Sequence, residues 1–201
     1  MSRSQSPPSN TLLKRSSPPD GATPEALNVL PRPAETNLLV VTYRENLDAW
    51  LRDWRRSVGD MPSEVGFVHV GDATRSAAGA RSAASATTSV PSSPADTSPV
   101  VKAVSDPTDL ARVGVGASEY LETWDGNGRE TVVYLDSLTA MLESVALDRT
   151  FAFLHVLAGR VESVDGRGYY LLDPSAHDHR SLSVVRELAD AVVDLDASRE
   201  A

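Results

Sequence analysis

Thr36-Asn-Leu-Leu-Val-Val-Thr-Tyr43 holds four apolar side chains in succession and does not alternate. Successive side chains of a strand point to opposite faces, so a strand with one wet face alternates and one that does not is covered on both. Coverage on both faces belongs to parallel sheets flanked by helices. The next residues supply such a helix, because Leu47, Trp50, Leu51, Trp54 and Val58 recur at intervals of three and four and line both indoles along one stripe. Strand followed by amphipathic helix is the crossover that parallel neighbours require.

The unit recurs down the chain. Residues 64–72 read as the next strand, and 100–104 as a short one. After Asp106-Pro107 comes a helix with Leu110, Val113, Ala117, Tyr120 and Leu121 inward, closed by Asp125-Gly-Asn-Gly128. The apolar run Thr131–Leu135 then leads through Asp136-Ser-Leu into a long helical stretch. That stretch is expected to break or kink near Asp148 and to carry Phe151, Leu154, Leu157, Val161 and Val164 at helical spacing. Residues 169–172 form a further strand, Ser181 is placed to cap a last helix, and 191–195 a closing strand. The fold class is α/β, with three αβα layers around a mostly parallel sheet.

Two stretches fall outside this pattern. Residues 1–24 are rich in Ser and Pro and hold too little apolar surface to offset the entropy of ordering, so a disordered tail is expected there. Residues 74–99 are almost wholly Ala, Ser, Thr, Pro and Gly, expected as a flexible loop within one domain spanning 25–201. Nothing is left to form a second domain.

Charge narrows the partners. The 201 residues carry a formal net charge of −9, with 17 Asp, 11 Glu and only two lysines, Lys14 and Lys102. An acidic, lysine-poor surface resembles that of proteins from salt-loving archaea, where carboxylates hold water at high ionic strength. It is a poor match for DNA, whose phosphates call for clustered Lys and Arg. Without cysteine there is no disulfide, thiolate metal site or cysteine nucleophile. No apolar run approaches the roughly 20 residues of a membrane span and the start lacks a signal-peptide core, so a cytoplasmic protein is expected.

Four segments, in order, resemble the KaiC-like branch of the RecA superfamily. They are Val40-Val-Thr-Tyr-Arg44-Glu45-Asn46 before a helix, Asp109-Leu-Ala-Arg-Val-Gly-Val-Gly-Ala117, Val132-Val-Tyr-Leu-Asp136-Ser137-Leu-Thr139, and Leu188-Ala-Asp-Ala-Val-Val-Asp-Leu195. The resemblance implies a RecA-like body and an ancestral ATP–magnesium site. In that family the second strand ends in an acidic pair, and the first strand and first helix enclose a phosphate-binding loop with a lysine and a Ser/Thr. Here Arg44 replaces the first acid and leaves Glu45, and Gly-x-x-x-x-Gly-Lys-Ser/Thr occurs nowhere. The place of the first strand and loop is assigned to residues 26–36, with a vestigial edge strand at 27–30. Loss of the phosphate cradle and of one carboxylate removes most of the charge stabilisation such a site offers, so no cofactor is expected.

The relic site would comprise Glu45, Asp136, Ser137, Asp173 and His177. Asp136 could bind magnesium or simply favour the N-terminus of the next helix, and the missing loop tips the balance to the latter. Glu45 at a first helical turn carries the same two readings. Asp173, His177, Asp178 and His179 have metal-ligand chemistry but no ligand spacing, and no metal is assigned to them. Their loop lies beyond the carboxyl end of a strand, where open α/β sheets bind ligands. Ser137 lacks the Gly-x-Ser-x-Gly elbow of a nucleophile. His155 is expected buried or at a boundary in its helix, and the Trp50–Trp54 stripe in the core. The function expected is a non-catalytic regulatory or signalling module acting on a protein partner or on itself. A nucleotide-binding or weakly hydrolysing RecA-like ATPase relative, recognisable by magnesium-dependent nucleotide binding, is the alternative, and an unrelated α/β domain with a small-molecule site a third.

Overall fold

A computed structural model describes residues 7–16, 24–31, 33–43, 47–71 and 100–197. Among these residues seven strands form one parallel sheet: β1 (Asn10–Lys14), β2 (Thr36–Thr42), β3 (Glu64–Val70), β4 (Val100–Val104), β5 (Glu130–Asp136), β6 (Arg167–Leu172) and β7 (Ala191–Asp194). Their order across the sheet is β4-β3-β2-β5-β6-β1-β7. Every residue of β2 and nearly every residue of β5 is buried, as their unbroken apolar runs demand.

Helices cover both faces. On one face, α1 (Pro24–Val29) and α2 (Leu47–Ser57) bury Ala26, Leu27, Trp50 and Trp54 against Leu13, Val40, Phe67 and Tyr134. The expected tryptophan stripe is therefore core, with the two indoles stacked at 5.4 Å. On the other face, α3 (Leu110–Trp124), α4 (Leu138–Ser144), α5 (Leu147–Glu162) and α6 (His179–Arg186) bury Val113, Leu121, Met141, Leu154, Val161 and Val185 against Leu39, Val41, Val133, Leu135 and Tyr170. The long helical stretch breaks at Val145-Ala146, between α4 and α5. Among the described residues no helix is long and apolar enough to cross a membrane.

The N-terminal expectation is overturned. Residues 10–14 form β1, paired with β6 on one side and β7 on the other, with Leu12 and Leu13 at 2% and 0% exposure. A polar network locks the start of this strand. Asn10 donates through its amide nitrogen to Glu162 (2.8 Å) and through its backbone to Asp190 (2.9 Å), and accepts from the Tyr170 hydroxyl (2.7 Å). Ser and Pro flanks masked a strand whose stability comes from two neighbours rather than from its own composition. Residues 27–30 are correspondingly no edge strand, since 27–29 end α1. The first strand and first helix thus enclose residues 15–23, not 26–36. The expected loop at 74–99 lies outside the described residues, as does most of the 1–24 segment apart from 7–16 and residue 24.

Candidate functional site

Crossovers after β1 and β2 run over the α1–α2 face, whereas those after β4, β5 and β6 run over the other. Two pairs of neighbours, β2/β5 and β1/β6, therefore send their chains to opposite sides, which makes each a topological switch point, the place where open α/β sheets bind ligands. Asp136 stands at the first of these, fully buried and level with Thr42 across the ladder. Its carbonyl accepts from the Tyr43 amide at 3.0 Å, and the Asp136–Ser137 peptide is cis. Burial pushes the Tyr43 phenol well above its ordinary range, so it stands there as a neutral group.

Ser137, not Asp136, caps α4: its hydroxyl accepts from the Ala140 amide at 3.2 Å. Two residues on, the Thr139 hydroxyl accepts from the Asp173 amide at 2.8 Å, which ties the end of β6 to the start of α4. Asp173 itself caps a short turn, Pro174–Ala176, through Ser175. His177 follows, half-buried. Asp136, Ser137 and Asp173 thus share one edge, with His177 at the end of the same turn. Glu45 lies outside the described residues.

At the second switch point the Arg15 amide donates to the Leu172 carbonyl (3.0 Å), one residue before Asp173, so β1 delivers Lys14, Arg15 and Ser16 to the same edge. Lys14 pairs with Asp194 at 3.3 Å and the Ser16 amide with Asp196 at 2.7 Å. Sequence reading missed these three because β1 was missed. Asp178 caps α6 through the Ser181 amide, a bond that holds its carboxyl below the usual range, so the expected capping role of Ser181 passes to Asp178. No three His, Asp or Glu side chains come together as a metal site among the described residues. His155 is exposed and stacks on Phe151, at neither a buried nor a boundary position.

A different surface is open. α3 and α5 run side by side, with Arg149 reaching the Thr108 carbonyl at one end and Arg160 paired with Glu122 at the other (3.0 Å). Between them lies an apolar groove of ≈ 740 Å³ floored by Gly114, Ala152, Phe153 and Leu157. Val115 and Val156 stand at its rim with 59% and 71% of their surface exposed. Both depart from the inward stripe of their helices, and that departure was the available signal in the sequence.

The family of unknown function DUF7504 matches residues 8–195, and the chain belongs to it. No curated protein matches by sequence. Among solved structures, the uncharacterized protein PH0321 from Pyrococcus horikoshii, in complex with an unknown peptide, is similar with a TM-score of 0.53 and 15% identity over 92% of this chain and 76% of that one. A second protein of that organism, PH0250, gives 0.50 and 12% over 93% and 81%. At such identities these likenesses establish the fold alone.

Proposed function

We propose that this DUF7504 member is a non-catalytic cytoplasmic module, built on a RecA-like body of the KaiC-like kind, that works by holding another polypeptide against its α3–α5 face. The observation that carries this is the apolar groove with two largely exposed valines at its rim, a feature that marks contact surfaces on otherwise acidic proteins. The peptide bound to PH0321 supports a polypeptide ligand. The RecA-like descent draws support from connectivity, strand β1 followed by helix α1, with β5 ending in Asp136 one strand removed from β1.

A photo-cross-linker replacing Val156 tests the reading in cells, with one replacing the exposed Arg52 of α2 as control. A protein adduct from position 156 alone is the expected result. Equal labelling from both positions, or none from 156, overturns it.

One observation favours the nucleotide alternative: β1 brings Lys14, Arg15 and Ser16 to the edge that holds Asp136, Ser137, Asp173 and His177. Cationic side chains at the end of the first strand suit phosphate oxygens. Isothermal titration with ATP and magnesium separates the readings. Saturable heat that disappears in Asp136→Asn would establish the alternative; no heat is expected under the proposal.

A further inference from the structure

We propose, resting on the reading of the α3–α5 face as a contact surface, that its partner is a second copy of this chain related by a two-fold axis running along the groove. Face-to-face pairing of two side-by-side helices has two symmetric solutions. An axis across the helices sets α5 antiparallel on itself and brings Arg149 over the partner's Arg160, two like charges. An axis along them sets each α3 over the partner's α5 with their ends in register.

The charges favour the second solution. Glu122 and Arg160 already face one another within the chain at 3.0 Å, with side-chain exposures of 68% and 34%. The axis along the groove places Glu122 opposite the partner's Arg160 and the reverse, which closes a ring of alternating charge at one end of the contact. Shape agrees with charge. Gly114 lies level with Phe153, the Cβ that a larger residue would carry coming 3.6 Å from that ring, so the floor of the groove is already at packing distance. Val156, standing proud of α5, meets Gly114 and Ser118 of the facing α3, and Val115 meets Ala152 of the facing α5.

Size sets the strength. Helices of 15 and 16 residues are about 23 Å long and about 10 Å across, so the two side by side span about 20 Å and give a face of roughly 450 Å² per copy against about 800 Å² in a standard interface. A weak, reversible dimer follows, opposed by the −9 charge on each copy and favoured when salt screens it.

Sedimentation equilibrium of the full chain in concentrated KCl, up to about 1 mM protein, is the test, that range covering weak association. Wild type is expected to approach twice the mass of one chain, Val156→Asp to remain single, and Glu122→Arg, compared with wild type in about 0.15 M KCl where the paired charges still act, to dissociate at least tenfold more readily. Glu122→Arg combined with Arg160→Glu is expected to regain association. A wild type that stays single throughout, or a Val156→Asp variant that dimerises like wild type, overturns the dimer. The cross-linked product from position 156 distinguishes the two levels: an adduct with a different protein refutes this inference and leaves the contact surface standing, whereas no adduct refutes both.

Discussion

Replacing Leu13 by Ala probes whether the segment that reads as a tail is a working part of the sheet. Leu13 has 0% exposure and packs in the cluster that holds Leu27, Val40 and Leu171. Truncating a fully buried leucine costs the transfer energy of the lost methyls and the cavity left behind, about 3–5 kcal/mol. That is a large share of the roughly 5–15 kcal/mol by which a domain is stable. For a chain of this size about 2–4 °C of midpoint is lost per kcal/mol, so a fall of about 6–20 °C is expected. Thermal melts read that shift, and urea unfolding followed by tryptophan fluorescence measures the energy itself, because Trp50 and Trp54 lie in the same cluster. An unchanged slope with a lower midpoint would confirm loss of stability rather than a change of denatured state. A change below about 0.5 kcal/mol, typical of exposed sites, would refute the placement of β1.

Asn10→Ala should cost about 1–3 kcal/mol by urea unfolding, because the Tyr170 hydroxyl and Glu162 lose their partner inside the sheet; an effect near zero would mean that water replaces it freely. Burial raises the phenols of Tyr43 and Tyr170 above their ordinary range and pushes that of Tyr120 up to about 12. The unfolded chain therefore loses these protons first as pH rises past about 10, so this stability is complete below pH 10 and drains above it. Tyrosinate absorbance should then rise together with loss of helical signal, and a rise centred near pH 10 in a still-folded protein would contradict the burial. Gly66→Ala should destabilise by about 1–3 kcal/mol, since the added Cβ would come within 2.5 Å of the Tyr120 ring, and a neutral result in thermal melts would show that the ring moves aside.

What could be read from sequence follows from where stability is encoded. β2 and β5 carry their own burial signal in unbroken apolar runs, so both strands and the parallel α/β class were legible. Asp136-Ser137 was likewise legible as the junction between a strand end and a helix start. Asn10-Thr-Leu-Leu-Lys14 holds only two apolar side chains among Ser and Pro, and its order comes from β6 and β7, which lie over 150 residues away. Local composition therefore pointed the wrong way and carried Lys14, Arg15 and Ser16 out of view. The expected capping role of Asp136 went to Ser137, because strand β5 runs through Asp136 and leaves the next residue at the helix start. The α3–α5 groove arises only once two helices lie side by side, which the spacing of Val115 and Val156 alone does not specify.

Amide hydrogen exchange of the purified chain, dilute and at about 1 mM, each with and without extract of its host cells, most directly asks which surface works. Added protection is expected in α3 and α5 alone, in the segments around Gly114–Ser118 and Ala152–Val156, either on raising the purified chain to about 1 mM, where a second copy covers them, or on adding extract, where another polypeptide does. Protection at Thr42–Tyr43 and Asp136–Ala140 instead, or no added protection anywhere, would contradict that expectation.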